Sequence, residues 1–267
     1  MTPSTTLLER RGEIDRRLET ALERADEHSV ALAASTVDAC PDRWYGQLVA
    51  LSHAAIADKP ASDAILSASA AVELLRGYCR LRTELLIQLA DNRAHSLTGD
   101  PANALLAGDY LNSAAYTALA EAGNHHLEDA LQALIAVSES LVDAFDAKYV
   151  RSVDDHSFLD DTVGSIGEGA AVIGITLAGG DTTRKEDFAT LGRGFSTAYQ
   201  IRRILNADSD GAVPTIAPPR FDTAALRQHG ARHFREATHA LGRLSDSADI
   251  EPLRNFVNTL CDQDNGF

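Results

Sequence analysis

Arg76, Arg80, Thr83 and Ile87 follow one another at spacings of four, three and four residues, so they line one face of a helix. Two guanidiniums on one face could hold an anion, since each can grip a phosphate bidentately. The same pair could instead be neutralised by neighbouring Asp or Glu. Asp154, Asp155, Asp160 and Asp161 form the densest acidic cluster, around His156 in RSVDDHSFLDDTV. These are metal-ligand types, but they straddle an expected helix start. There carboxylates favour the macrodipole and cap free N–H groups, so solvated capping is expected. His125, His126, Glu128 and Asp129 in GNHHLEDAL have no HExxH pattern and no second ligand pair, and they follow a helix-starting Asn124. Ser165 and Ser196 lie in no GxSxG context, which argues against a hydrolase. Gly164, Gly167, Gly169 and Gly174 are not followed by Lys-Ser or Lys-Thr, so they suit close helix packing better than a phosphate loop.

The elements that carry these residues are helical almost throughout. Segment 4–27 begins at a Ser/Thr cap and places Leu7, Ile14, Leu18 and Leu22 on one face. Segment 61–90 reads as one long helix. Pro101 opens another, and Asn124 caps 125–148. A helix over 160–178 should stop at Gly179–Gly180, with 185–207 next. The stretch SDGAVPTIAPPR at 209–220 reads as a loop, and helices at 221–244 and 249–262 close the chain. The expectation is an all-α, single-domain bundle over 1–267, with about eight to ten helices around a central cavity.

Composition restricts the partners. The 267 residues carry 39 acidic and 24 basic side chains, a net charge of −15, which disfavours nucleic acid and anionic lipid. Lys59, Lys148 and Lys185 are the only lysines; every other basic residue is arginine. Acidity with scarce lysine points to a halophilic protein, and a GC-rich codon bias is the alternative. Salt adaptation predicts that the unfolding temperature rises from low to molar potassium chloride, as screening relieves self-repulsion. A flat or falling melting curve would favour codon bias. Cys40, Cys79 and Cys261 form no CxxC pair and no zinc spacing, and read as buried thiols in a reducing compartment. No signal-like segment and no run of about 18 apolar residues is seen, so a cytoplasmic location without an integral membrane segment is expected.

Four stretches, in order, resemble the trans-type isoprenyl diphosphate synthases, the polyprenyl synthetase family. AAVELLRGY at 70–78 is similar to the start of that family's helix AxELxHxxSLIHDDxxD, and ALLAGDYL at 104–111 to its LLAGDxL. GSIGEGAAVIGITLAGG at 164–180 is similar to KTGxLFxxAxxxGxxxAG, and LGRGFSTAYQIRRI at 191–204 to LGxAFQxxDD. The resemblance is clearest over 70–205. It implies the family's helical bundle, its dimerisation through large helix faces, and its use of magnesium held by two aspartate-rich motifs around an allylic diphosphate.

The aligned residues depart from that chemistry. The first aspartate-rich motif falls on Thr83, Glu84, Leu85, Leu86 and Ile87, and the second on Arg203, Ile204, Leu205, Asn206 and Ala207. Six negative charges become one negative and one positive. The segment at 91–95 is too short for the family's basic loop. Thr162 stands where the family has a lysine, and Arg82 where it has a histidine. The resemblance therefore implies a degenerate member with no catalytic residues and no cofactor, because the magnesium ligands are absent. By the same resemblance Arg76 and Arg80 look into the former substrate cavity opposite Arg203. With Gln200 they are the candidate ligand-binding residues, for an isoprenoid diphosphate. Gln200 and Asp109 match family positions and serve helix packing as readily. The expected role is a non-catalytic or regulatory subunit, as a homodimer or as a heteromer with an active prenyl diphosphate synthase. Two alternatives stand beside it: a metal-independent isoprenoid-binding protein, and a weakly active prenyltransferase with relocated metal ligands.

Overall fold

The structure is a computed structural model that describes residues 3–23, 27–57, 62–91, 99–151, 155–206, 216, 222–245 and 248–261. Among these the chain is all-α. Helix α1 spans Pro3–Leu22, α2 Glu27–Asp38, α3 Trp44–Ala57, α4 Asp63–Asp91, α5 Pro101–Ala120 and α6 Leu127–Tyr149. Helix α7 (Asp155–Leu159), a π-helical turn (Asp160–Gly164) and α8 (Ser165–Leu177) run end to end as one rod. Helices α9 (Thr182–Leu205), α10 (Thr223–Leu244) and α11 (Glu251–Cys261) complete ten helical rods among the described residues.

Local chemistry places the ends. Asp100 caps α5 by accepting from the N–H groups of Ala102 and Asn103, with Pro101 in the first turn where its missing N–H costs nothing. Asp181 and Asp222 cap α9 and α10 in the same way. Asn124 organises the turn before α6: its Oδ1 accepts from the His126 N–H, and its Nδ2 donates to the Leu177 carbonyl. Past α8 the chain turns at Gly179, whose φ of +76° suits glycine, and the Gly180 N–H reaches back to the Ile175 carbonyl.

The helix expected over 4–27 is α1, which ends earlier, at Leu22; α2 is a separate element that begins at Glu27. Helices α2 and α3 occupy a region with no clear periodic pattern. Helix α3 is buried on nearly every face, so an apolar stripe never forms in its sequence.

The bundle packs around one core. Helix α8, built from small residues and nearly all buried, lies against α3, α6 and α9. Helix α9 in turn packs on α10, and α4 on α3 and α5. Cys40 and Cys79 are buried free thiols, and burial raises Cys79 to about 12. Among the described residues no helix is long and apolar enough to cross a membrane.

Candidate functional site

Asp42, in the turn between α2 and α3, is the hub of a buried ionic cluster. Its Oδ1 accepts from the Trp44 N–H at 3.0 Å and from Arg76 Nη1 at 2.6 Å. Its Oδ2 accepts from the Tyr199 hydroxyl at 2.9 Å and from Arg203 Nη1. One carboxylate thus joins α4, through Arg76, to α9, through Arg203. Glu73, one turn before Arg76, accepts from the Gly46 N–H at 2.8 Å and sits 3.3 Å from Arg76 Nη1. Aromatic rings wall the cluster: Trp44 stacks on Tyr199 at 4.2 Å, and the Arg76 guanidinium lies 5.2 Å from the Tyr45 ring.

The two acids respond to this environment in opposite directions. Burial pushes the Asp42 carboxyl up, but the Arg76 charge and hydrogen bond and the Arg203 charge outweigh it. Asp42 is held well below the usual carboxylate range. For Glu73 burial wins over the pull of Arg76, and its carboxyl lies above the usual range.

The residues singled out from sequence are distributed as follows. Arg76 and Arg203 meet at Asp42. Arg80 is buried beside them, its Nη1 3.4 Å from the Thr36 carbonyl and 3.9 Å from Cys40 Sγ. Gln200 is buried and donates from Nε2 to the Ile216 carbonyl at 2.6 Å. Thr83 is fully buried, its hydroxyl donating to the Cys79 carbonyl at 2.8 Å. Glu84 and Ile87 are half-buried, Ile204 is buried, and Ala207 lies outside the described residues. Asp109 accepts from Arg82 at 2.7 Å. Asp42, Tyr199 and Glu73 were not singled out. Glu73 and Tyr199 lie within the motif-like stretches at 70–78 and 191–204, and Glu73 stands three residues before Arg76 on the same helix, whereas Asp42 lies in none of them.

A second cluster overturns the expectation that metal ligands are absent. His229 and His233, four apart on α10, both direct Nε2 at Asp160 Oδ1 in the π-helical turn, at 2.8 and 3.0 Å. One ligand atom from each of the three residues lies within 4.8 Å of the others, a plausible metal-binding set. The expectation of no cofactor is corrected accordingly. Asp160 is also no solvated cap. Burial pushes its carboxyl up, but the hydrogen bonds to His229 and His233 hold it well below the usual range. Sequence inspection misses the set because its members lie about seventy residues apart and meet only when α10 packs beside the turn.

No family model matches the chain, and no curated protein does. Solved structures match it across nearly their whole length. A geranylgeranyl pyrophosphate synthetase from the archaeon Geoglobus acetivorans is 17% identical, with 97% of each chain covered and a TM-score of 0.74. A geranyltransferase from Legionella pneumophila is 15% identical, covering 97% of this chain and 96% of its own, with a TM-score of 0.74. A decaprenyl diphosphate synthase from Rhodobacter capsulatus is 16% identical, covering 97% and 96%, with a TM-score of 0.67. At these identities the likeness concerns architecture. The chain has the isoprenyl diphosphate synthase fold.

Proposed function

We propose that this chain serves isoprenoid metabolism as a non-catalytic or regulatory partner of an active prenyl diphosphate synthase in the cytoplasm. The observation that carries the proposal is the Asp42 carboxylate shared by Arg76 and Arg203. A diphosphate held between α4 and α9 would have to compete with this internal anion for both guanidiniums. Magnesium requires near-octahedral oxygen ligation. The Thr83 hydroxyl is committed to the Cys79 carbonyl and Arg203 is a cation paired with Asp42, so these positions do not fit a magnesium–diphosphate cluster. Helix faces used for dimerisation can outlast an active site, and an active paralogue offers a complementary face.

The test is condensation of labelled isopentenyl diphosphate with an allylic diphosphate in magnesium at high salt. The isolated chain should give no prenyl product, and turnover above about 1 s⁻¹ would overturn the proposal. Purification from the native source should bring down an active synthase, whereas recovery of the chain alone counts against a partner role.

A specific observation favours a second reading, a weakly active prenyltransferase with relocated metal ligands. It is the Asp160–His229–His233 set, within a fold shared with a geranylgeranyl pyrophosphate synthetase and a decaprenyl diphosphate synthase. Slow product formation that requires a transition metal and is lost in His233→Ala would establish that reading. Arg193, which donates to the Asp160 carbonyl, and Arg203, which reaches Asp42, are ten residues apart on α9. At about 1.5 Å per residue the backbones of these two arginines lie roughly 15 Å apart along α9.

A further inference from the structure

We propose that Asp160, His229 and His233 bind one transition-metal ion of the zinc class. The proposal uses the residues on which the second reading rests, but it concerns ion binding alone and is read without any prenyl product.

The geometry is close to that of a three-ligand site. Spacing of four on α10 puts both imidazoles on one helix face, with ring centroids 4.6 Å apart. Both Nε2 atoms converge on one carboxylate oxygen, at 2.8 and 3.0 Å. Tetrahedral ligation with bonds of about 2.0–2.1 Å sets ligand atoms roughly 3.3 Å apart. Each imidazole needs to move only a few tenths of an ångström from Asp160 Oδ1 to reach that spacing, and all three ligand atoms already lie within 4.8 Å of one another. Asp160 belongs to a widened π-helical turn, a rare form of helix that is frequent at functional sites. Two imidazoles and one carboxylate suit zinc, cobalt or nickel and not magnesium.

Burial and outer contacts support the same class. The His229 and His233 side chains are 10% and 7% exposed, and Asp160 is 20% exposed. A surface pocket lined by Ala225, Gln228, His229, Arg232 and Arg235 lies on the His229 side of the cluster. Glu236 Oε2 lies 3.6 Å from His233 Nδ1, the nitrogen a metal would leave free, and Arg193 Nη1 donates to the Asp160 carbonyl at 2.9 Å. Such outer partners orient ligands.

One group opposes the ion. Arg232 Nη2 sits 3.1 Å from His229 Nδ1 and 3.5 Å from His233 Nε2. His233 Nε2 cannot donate to Asp160 and accept from Arg232 together, and a metal would take its lone pair. Arg232 is half exposed, with Nε 3.9 Å from Glu236, so it can turn outward. Ion binding then takes the Nε2 lone pairs and moves one like charge away.

The test uses the full chain, free of affinity tags and stripped with chelator. Calorimetry with zinc and visible absorption with cobalt should show one ion per chain at about pH 7.5, with affinity falling as pH drops. Loss of a ligand in His233→Ala or Asp160→Asn should weaken binding by more than the roughly 10- to 100-fold typical of outer partners. Arg232→Gln should strengthen it, an effect that a hydrogen-bonded cluster with no metal role would not produce. The double variant His125→Ala/His126→Ala, which alters histidines outside the set, should bind as wild type does. Absence of stoichiometric uptake, uptake that survives His233→Ala, or unchanged affinity in Arg232→Gln would each overturn the proposal. The arginine variant keeps the test decisive if a ligand variant fails to fold.

Discussion

Asp42→Asn is expected to destabilise the fold by about 3–5 kcal/mol, the range for breaking a buried ion pair by removing one partner. The Arg76 side chain is 2% exposed and that of Arg203 12%, so both guanidiniums lose their shared carboxylate in a nearly dry setting. Asparagine keeps the shape and one acceptor, so the loss reports charge rather than a cavity. Chemical denaturation of wild type and variant near neutral pH measures it, and a loss below about 1 kcal/mol, the scale of exposed pairs, would refute it. The pH dependence gives a second readout. Asp42 has a folded pKa below its unfolded value, so its contribution is present above the unfolded range near pH 4 and is lost as pH falls through the folded value. Wild type should therefore lose stability on acidification more steeply than Asp42→Asn. Glu73 has the opposite sign: its raised carboxyl loses stability as pH rises. Glu73→Gln, which retains an acceptor for the Gly46 N–H, should be close to neutral at pH 7.

The contrast between these acids shows what the sequence can convey. Helix α4 was legible because its apolar residues repeat at helical spacing, and the start of α5 at Pro101 because first-turn proline is a local signal; Asn124 instead bonds the His126 N–H in the turn, and α6 begins at Leu127 without a side-chain cap. The fold was legible through four motif-like stretches in order. The ionic hub was not, because Asp42 lies in a turn and meets Arg203 across a separation of 161 residues. No local pattern marks an aspartate destined for a core from one destined for solvent. Asp160 shows the same limit. Read locally it is one of four acids near a helix start, yet helix packing gives it two histidines from α10. Charge type and spacing indicate what a residue can do, while its partner is set by which helices pack together.

The glycines of α8 and α9 carry that packing to the ionic hub, and Gly167→Ala is expected to destabilise the protein by about 2–4 kcal/mol. A Cβ on Gly167 would fall 2.0 Å from Ser196 Oγ and 2.4 Å from the Gly192 carbonyl oxygen. The second neighbour is backbone, so a rotamer change cannot relieve the contact and α8 must move off α9. Overpacking of this kind costs about 1–3 kcal/mol. A further loss of about 1 kcal/mol follows from Ser196, whose hydroxyl accepts the Trp44 Nε1–H at 2.9 Å. Trp44 stacks on Tyr199, and Tyr199 donates to Asp42, so the displacement should also loosen the cluster between α4 and α9. Gly192→Ala should behave alike, its Cβ falling 2.2 Å from the Gly167 carbonyl oxygen. Gly12→Ala is the control: nothing lies within 4 Å of its Cβ, and replacing a glycine inside helix α1 should stabilise by about 0.5–1 kcal/mol. Denaturation midpoints of the three variants decide the matter. If Gly167→Ala and Gly12→Ala shift stability in the same direction, α8 and α9 do not touch through their backbones, and the described route from the small-residue helix to Asp42 is wrong.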